Sequence, residues 1–158
     1  MPITPLHFGI LAPINAARSK RVKLLPFFLV NAIMDLEAFF QIVLGIPSEA
    51  AIHGPETHSF LGAIRIALMI GVLFILTKDR LEYFSGALIG GISHVFLDMM
   101  CHPEMKPLYP FIEGNPYYIP DGLAWVSNIM LILTAWWLAQ EIVHARRNRR
   151  DRLRDQVR

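Results

Sequence analysis

Residues 83–102 read YFSGALIGGISHVFLDMMCH, a nearly continuous apolar run broken by His94 and Asp98 and closed by His102. A helix needs about 20 mostly apolar residues to cross the hydrocarbon core of a bilayer, and Tyr83–Met100 comes close to that length. His94 and Asp98 stand at i and i+4, so a helix carries them on one face, and His102 follows one turn later. Pro103 then ends the helix. An imidazole and a carboxylate one turn apart can grip a metal ion together, or can simply hydrogen-bond to tie helices. The run therefore suggests a membrane span with a polar site in it.

Working outward, three further stretches have this character: Leu24–Ile46, Phe60–Thr77 and Leu123–Val143. The breaks carry Pro47, Pro55, the charged sequence Lys78-Asp79-Arg80-Leu81-Glu82 and a proline-rich loop. The chain is 158 residues long, enough for one domain, and is 54% hydrophobic but only 18% charged. Soluble domains average about 25% charged residues, and the deficit here is concentrated in blocks. The expected fold is an all-α integral membrane protein with four transmembrane helices in residues 1–145 and a basic cytoplasmic tail in 146–158.

Lysine and arginine in short loops mark the cytoplasmic side. The basic regions 18–23, 78–80 and 146–158 precede span one, join spans two and three, and follow span four. A four-span chain puts all three on one side. The loops 47–59 and 101–122 then face outward, with Lys106 as their basic residue and Tyr117, Tyr118 and Trp125 at the interface. The N-terminus has no basic region ahead of an apolar run, so no cleavable signal is expected. Cys101 is the single cysteine, which excludes an intrachain disulfide and a Cys-x-x-Cys metal site. The arginine-rich tail contains no aromatic residue, a poor match to a nucleic-acid surface, whereas contact with anionic lipid suits it.

Pro5–Ala17 is apolar but too short to span. It forms either a surface helix or a half-inserted helix, and the latter is tolerated only when packed on protein. The depths of several polar residues favour insertion. Asp35 lies 12 residues beyond Lys23 and His94 lies 12 beyond Glu82, each about 18 Å along a helix. His7 lies 11 residues before Arg18, about 16 Å. Ligands from three segments thus reach one level.

An ionised acid at mid-bilayer costs on the order of 3 kcal/mol or more, so Asp35 and Glu37 are candidate site residues. Asn31 precedes Asp35 by one turn and can share its face. Glu37 points about 160° away from Asp35 on a regular helix. The segment His53-Gly54-Pro55-Glu56-Thr57-His58-Ser59 opens span two, where Thr57 or Ser59 can cap the helix and His58 can reach into the site. Five of the six histidines belong to these segments, while His144 lies in the basic flank.

These residues resemble the YdjM-like family of predicted membrane-bound, metal-dependent hydrolases. The likeness rests on Pro5-Leu6-His7-Phe8-Gly9, then Met34-Asp35-Leu36-Glu37, then the His53–Ser59 block, then Ser93-His94-Val95-Phe96-Leu97-Asp98, and last Pro107-Leu108-Tyr109-Pro110-Phe111. Glu37 replaces the family's usual second aspartate, Gly54 stands where arginine is frequent, and Met100-Cys101-His102 occupies a place where threonine is common. The resemblance implies a membrane helical fold and metal-dependent hydrolysis.

Nitrogen and oxygen ligands suit Zn²⁺, with Mn²⁺ or Fe²⁺ as alternatives, and the ligand number allows one or two ions. His7, Asp35, His58, His94 and Asp98 are the expected metal ligands. Glu37 and His53 are expected in proton transfer or in orienting ligands, and Arg65, Lys106 and His102 near the substrate. A site at this depth favours a lipid-linked substrate and cleavage of a phosphoester by activated water. Two other readings stay open. One is a metal-transport or metal-sensing protein, although span four offers only Ser127, Asn128 and Thr134 as interior polar groups. The other is a scaffold whose acids and histidines only pair with one another. Arg65 itself can snorkel to headgroups instead of holding phosphate.

Overall fold

The computed structural model describes residues 4–17, 21–44 and 54–156, with side chains described for 6–17, 21–36, 43 and 54–155. Among these residues the regular structure is entirely helical. α1 (Thr4–His7) runs through a 3₁₀ turn (Phe8–Ile10) into α2 (Leu11–Ala17). α3 (Leu24–Leu44), α4 (Phe60–Leu73), α5 (Arg80–Cys101) and α6 (Gly122–Gln156) follow. Pro13 and Pro26 fall in the first turns of α2 and α3, where a missing N–H costs no intrahelical bond.

α5 is the axis of the bundle. Its glycines explain how the neighbours come so near. A Cβ on Gly86 would lie 2.8 Å from the Lys23 carbonyl, and one on Gly90 would lie 2.9 Å from the Phe27 carbonyl. On Gly91 it would meet the Ala63 carbonyl at 3.1 Å. The Gly86-x₃-Gly90 spacing thus admits the backbone of α3, and Gly91 admits α4, as small residues do between membrane helices. With the backbones this close, short side chains from α3 and from the loop before α4 can reach those of α5. The core beside this seam is Val30, Met34, Ala63, Ile66, Ala67, Val95 and Met99.

The outer surface is apolar in turn. Met69, Val72 and Leu73 on α4 and Leu131 and Ile132 on α6 are exposed, as are Leu25 and Phe28 on α3. An apolar surface this extensive requires a covering partner or lipid. Two helices, α5 and α6, are long and apolar enough to cross a membrane, and the described parts of α3 and α4 are shorter apolar helices.

Two helix ends differ from the sequence reading. Span two was expected to reach Thr77, but α4 stops at Leu73. Beyond it the chain tightens into i+3 bonds, Phe74 N–H to Gly71 O, Ile75 N–H to Val72 O and Thr77 N–H to Phe74 O. The Thr77 hydroxyl also donates to the Phe74 carbonyl at 2.8 Å, an alternative to helical pairing that threonine readily takes. α6, expected to end near Val143, continues as one 35-residue helix through the arginines. Arginine, alanine, glutamate and glutamine are good helix formers, and neither proline nor glycine intervenes.

The basic regions gather at one end of the bundle. Arg21 pairs with Glu141 at 2.9 Å, and Lys23 pairs with Asp79 at 2.7 Å and Glu82 at 3.6 Å. The hydrogen bond that Lys23 donates to Asp79 raises the Lys23 pKa, so the lysine keeps its charge through neutral pH and loses its part of the tie as pH rises through that raised value. The loops before α4 and before α6 meet at the opposite end, where Phe60 N–H donates to the Pro107 carbonyl at 2.9 Å.

The α1–α2 segment lies along α6. Thr134 Oγ1 donates to Leu6 O at 3.3 Å and to Met130 O at 2.7 Å, and Gln140 Nε2 donates to Ala12 O at 3.2 Å. Gly9 makes the close approach possible, since a Cβ there would lie 2.7 Å from the Met130 carbonyl and 2.9 Å from the Thr134 nitrogen. Gly9→Ala is therefore expected to destabilise the protein by about 1–3 kcal/mol, as overpacking does. The thermal midpoint in detergent measures this, and an unchanged midpoint would remove Gly9 from the contact.

Candidate metal centre

Asp35 on α3, His58 from the loop before α4, and His94 and Asp98 on α5 converge on one point. Each offers one ligand atom, and the four atoms lie within 4.8 Å of one another. His94 Nε2 is 3.1 Å from Asp98 Oδ2 and 3.4 Å from Asp35 Oδ1. A tetrahedral ion with bonds of about 2.0–2.1 Å has ligands roughly 3.3 Å apart, so both distances match edges of such a site. Despite these distances, His94 Nε2 makes no properly directed hydrogen bond, and neither does Asp98 Oδ1. A buried imidazole paired with a carboxylate should form one. These atoms therefore keep bonding capacity of the kind a metal ion uses.

Burial and charge agree with this. The His94 and Asp98 side chains are 0% and 3% exposed, and Asp35 is 19% exposed. The buried residues described include no lysine or arginine. Two carboxylates in an apolar interior demand compensation, because a buried charge without a partner is costly. A divalent cation held with neutral imidazoles balances two ionised carboxylates. The cluster has the composition and spacing to hold one metal ion.

The local structure explains the placement. His58 follows the turn at Gly54–Thr57, closed by its own N–H to the Gly54 carbonyl at 2.9 Å. Ser59 caps α4, its Oγ accepting from Gly62 N–H at 3.0 Å. The cap fixes where α4 starts, and hence where His58 lies. Arg65 reaches back to the Glu56 carboxylate and carbonyl, each at 3.2 Å, and fastens the loop to α4. That side chain is 57% exposed and points toward Glu56.

His7 is buried beside the cluster. Its ring stacks on that of His94 with centroids 4.4 Å apart, and its Nε2 lies 3.4 Å from Asp98 Oδ1. It belongs to the neighbourhood but not to the group of four. His102, at the end of α5, places Nδ1 3.3 Å from the Glu104 carboxylate. His53 lies outside the described residues, and so does the side chain of Glu37.

Two residues beside the cluster were not among the expected site residues. Asn31 is completely buried, and its Oδ1 meets His94 Nδ1 at 2.9 Å. Thr57 Oγ1 meets His58 Nδ1 at 2.9 Å. The sequence held a signal for Asn31, a polar residue one turn before Asp35 in an apolar run. In the sequence Thr57 reads only as a candidate cap and as part of the His53–Ser59 block.

A family model described as YdjM inner membrane protein matches residues 6–153. The chain belongs to that family. Its membrane is accordingly the inner membrane, with which its apolar surface associates. No curated protein and no solved structure matches the chain.

Elemental analysis of detergent-purified protein tests the centre directly. The wild type is expected to carry, or to take up on incubation with zinc or manganese, at least one equivalent of metal. A variant carrying both His94→Ala and Asp98→Ala is expected to carry none. Wild-type protein that stays metal-free after such loading would reject the centre.

Proposed function

We propose that the protein is a membrane-embedded, metal-dependent hydrolase that cleaves a phosphoester of a lipid-linked substrate. The convergence of Asp35, His58, His94 and Asp98 within 4.8 Å supports this reading above all. Zn²⁺ suits the donors best, Mn²⁺ and Fe²⁺ are also compatible, and His7 beside Asp98 is an additional donor should a second ion bind. A bound ion of this kind supplies Lewis acidity, making a water acidic enough to attack at neutral pH.

The chain's own residues then divide the work. Asp98 directs one carboxylate oxygen to His94 and the other toward His7, so it spans the two imidazoles. Asp35, more exposed than His94 and Asp98, is assigned to the side from which a phosphoryl group and water would arrive. Glu37 and His53 are assigned to proton transfer on the sequence pattern. Arg65, Lys106 and His102 belong to the end of the bundle where a headgroup would sit, and Arg65 would there exchange Glu56 for a phosphate oxygen. The apolar wall around the cluster excludes bulk water and suits an acyl or polyprenyl chain.

All four long helices cross the membrane in this reading, with α1 and α2 half-inserted. α4 has 14 helical residues, about 21 Å, and needs the following turns or a locally thinned bilayer to complete its passage. The end bearing Arg21, Lys23 and the arginines of α6 faces the cytoplasm. A reporter fused after Arg158 is expected to read as cytoplasmic, and a periplasmic readout would invert the topology.

The activity itself is tested in vesicles containing a phospholipid or polyprenyl phosphoester. Product release is expected to require added zinc or manganese and to stop with chelator. Asp35→Asn is expected to lower turnover more than about 100-fold, above the 10–100-fold range for losing an outer partner of a ligand. Metal-loaded protein that cleaves neither substrate class would turn the reading to metal binding or transport.

A further inference from the structure

The arginines at the end of α6 are not equivalent. Trp136, Gln140, Val143 and Arg147 follow one another at i, i+4, i+7 and i+11 and so share one face of the helix. Along about 16 Å that face passes from apolar to basic. Arg21, ahead of α3, lies against it, and together they form a groove of about 440 Å³ that His144 also lines. Trp137 turns inward onto Phe8, with ring centroids 5.2 Å apart, whereas its neighbour Trp136 is 44% exposed and opens to the groove. The described lining contains two arginines and no carboxylate. Glu141 lies outside it and holds one guanidinium nitrogen of Arg21 at 2.9 Å. A guanidinium has five N–H donors, so Arg21 keeps others for a second anion while Glu141 fixes where it points. Arg21, Arg147 and Glu141 together leave one positive charge.

We propose that this groove binds an anionic phospholipid, with the phosphate between the guanidiniums of Arg21 and Arg147 and an acyl chain running past Val143 and Trp136. A phosphodiester carries one negative charge, which matches the residual charge of the site, and guanidiniums grip phosphate oxygens through paired N–H bonds. Tryptophan is favoured at the level where headgroup meets acyl chain. A free phosphate would satisfy the arginines but leave the adjoining apolar strip uncovered, so the strip selects a lipid. The site also differs from a diffuse attraction of the basic tail to the membrane. Arg149 and Arg152, two and five residues beyond Arg147, point about 160° and 140° away from it on a regular helix. They line a separate stretch together with the Glu141 carboxylate. The inference rests on α6 crossing the bilayer and not on the hydrolase reading, since no residue of the metal cluster lines this groove.

Full-length protein in phosphatidylcholine vesicles tests this, with brominated phosphatidylglycerol or brominated phosphatidylcholine added stepwise. Bromine on an acyl chain quenches a tryptophan it touches, and the signal of Trp136 is the part lost in Trp136→Phe. Quenching of Trp136 is expected at a lower fraction of the anionic lipid than of the zwitterionic one. Arg21→Gln and Arg147→Gln should each weaken that preference about fivefold, and the pair should abolish it. Arg149→Gln with Arg152→Gln removes the same charge from the other side of the helix and should leave it intact. Equal quenching by both lipids would overturn the proposal. So would a loss of preference as large in the Arg149/Arg152 pair, which marks diffuse attraction, or displacement of the quenching by millimolar inorganic phosphate, which marks a free-anion site. Arg147 is exposed, so Arg147→Gln alone keeps the test decisive if loss of the Arg21–Glu141 pair unfolds the protein. A wild type without metal or hydrolase activity leaves the result standing, because none of these variants alters the cluster.

Discussion

Asp35 and Asp98 bring two carboxylates into contact with His94 deep between helices. Charge of that kind cannot be left in an apolar interior without something of opposite sign, and the described interior supplies neither lysine nor arginine. The remaining features of the bundle follow from keeping these groups together: glycines that let α3 and α4 close on α5, a capped helix start that fixes His58, and a short α1–α2 segment that seals the side with His7.

The fold is an inverted one in the sense that its polar centre is small and its apolar surface large. Cohesion between such helices cannot come from removing apolar area from water, since lipid is as apolar as leucine; it comes from close packing and internal hydrogen bonds. The contacts bear this out. Gly86, Gly90 and Gly91 lie against carbonyls, and Thr134 and Gln140 bind carbonyls of the α1–α2 segment. Among the described residues, the ion pairs made by lysine and arginine, such as Arg21–Glu141 and Lys23–Asp79, lie at the ends, where water can solvate what the partner does not.

Much of this was legible in the sequence because it depends on counting. Period and length placed α3, α5 and the apolar part of α6, and the i, i+4 spacing put His94 and Asp98 on one face. The rise per residue placed His7 and His94 at one depth, and in the structure their rings stack. Counting fails where a side chain's direction is set by another segment. The sequence offered Arg65 as a phosphate contact or a snorkelling residue, and its partner is Glu56, nine positions earlier across a turn. It offered either Thr57 or Ser59 as the cap, and the turn at Gly54 assigns the cap to Ser59 while Thr57 turns to His58. The end of α4 was missed for a related reason, because Thr77 bonds locally to its own preceding turn.

The contact between residues 6–12 and α6 carries a consequence for biogenesis. Leu6, Gly9 and Ala12 rest on Met130, Thr134 and Gln140, more than a hundred positions later in the chain. A ribosome makes α1 and α2 long before it makes α6, so the segment bearing His7 has no seat until the sixth helix is threaded into the membrane. The side of the cluster occupied by His7 is thus closed only after α6 has been made. Until then its donors are exposed to cellular metal and to the insertion machinery. Truncation or stalling before α6 would leave an open, acid-lined seam in the bilayer, a natural target for membrane quality control.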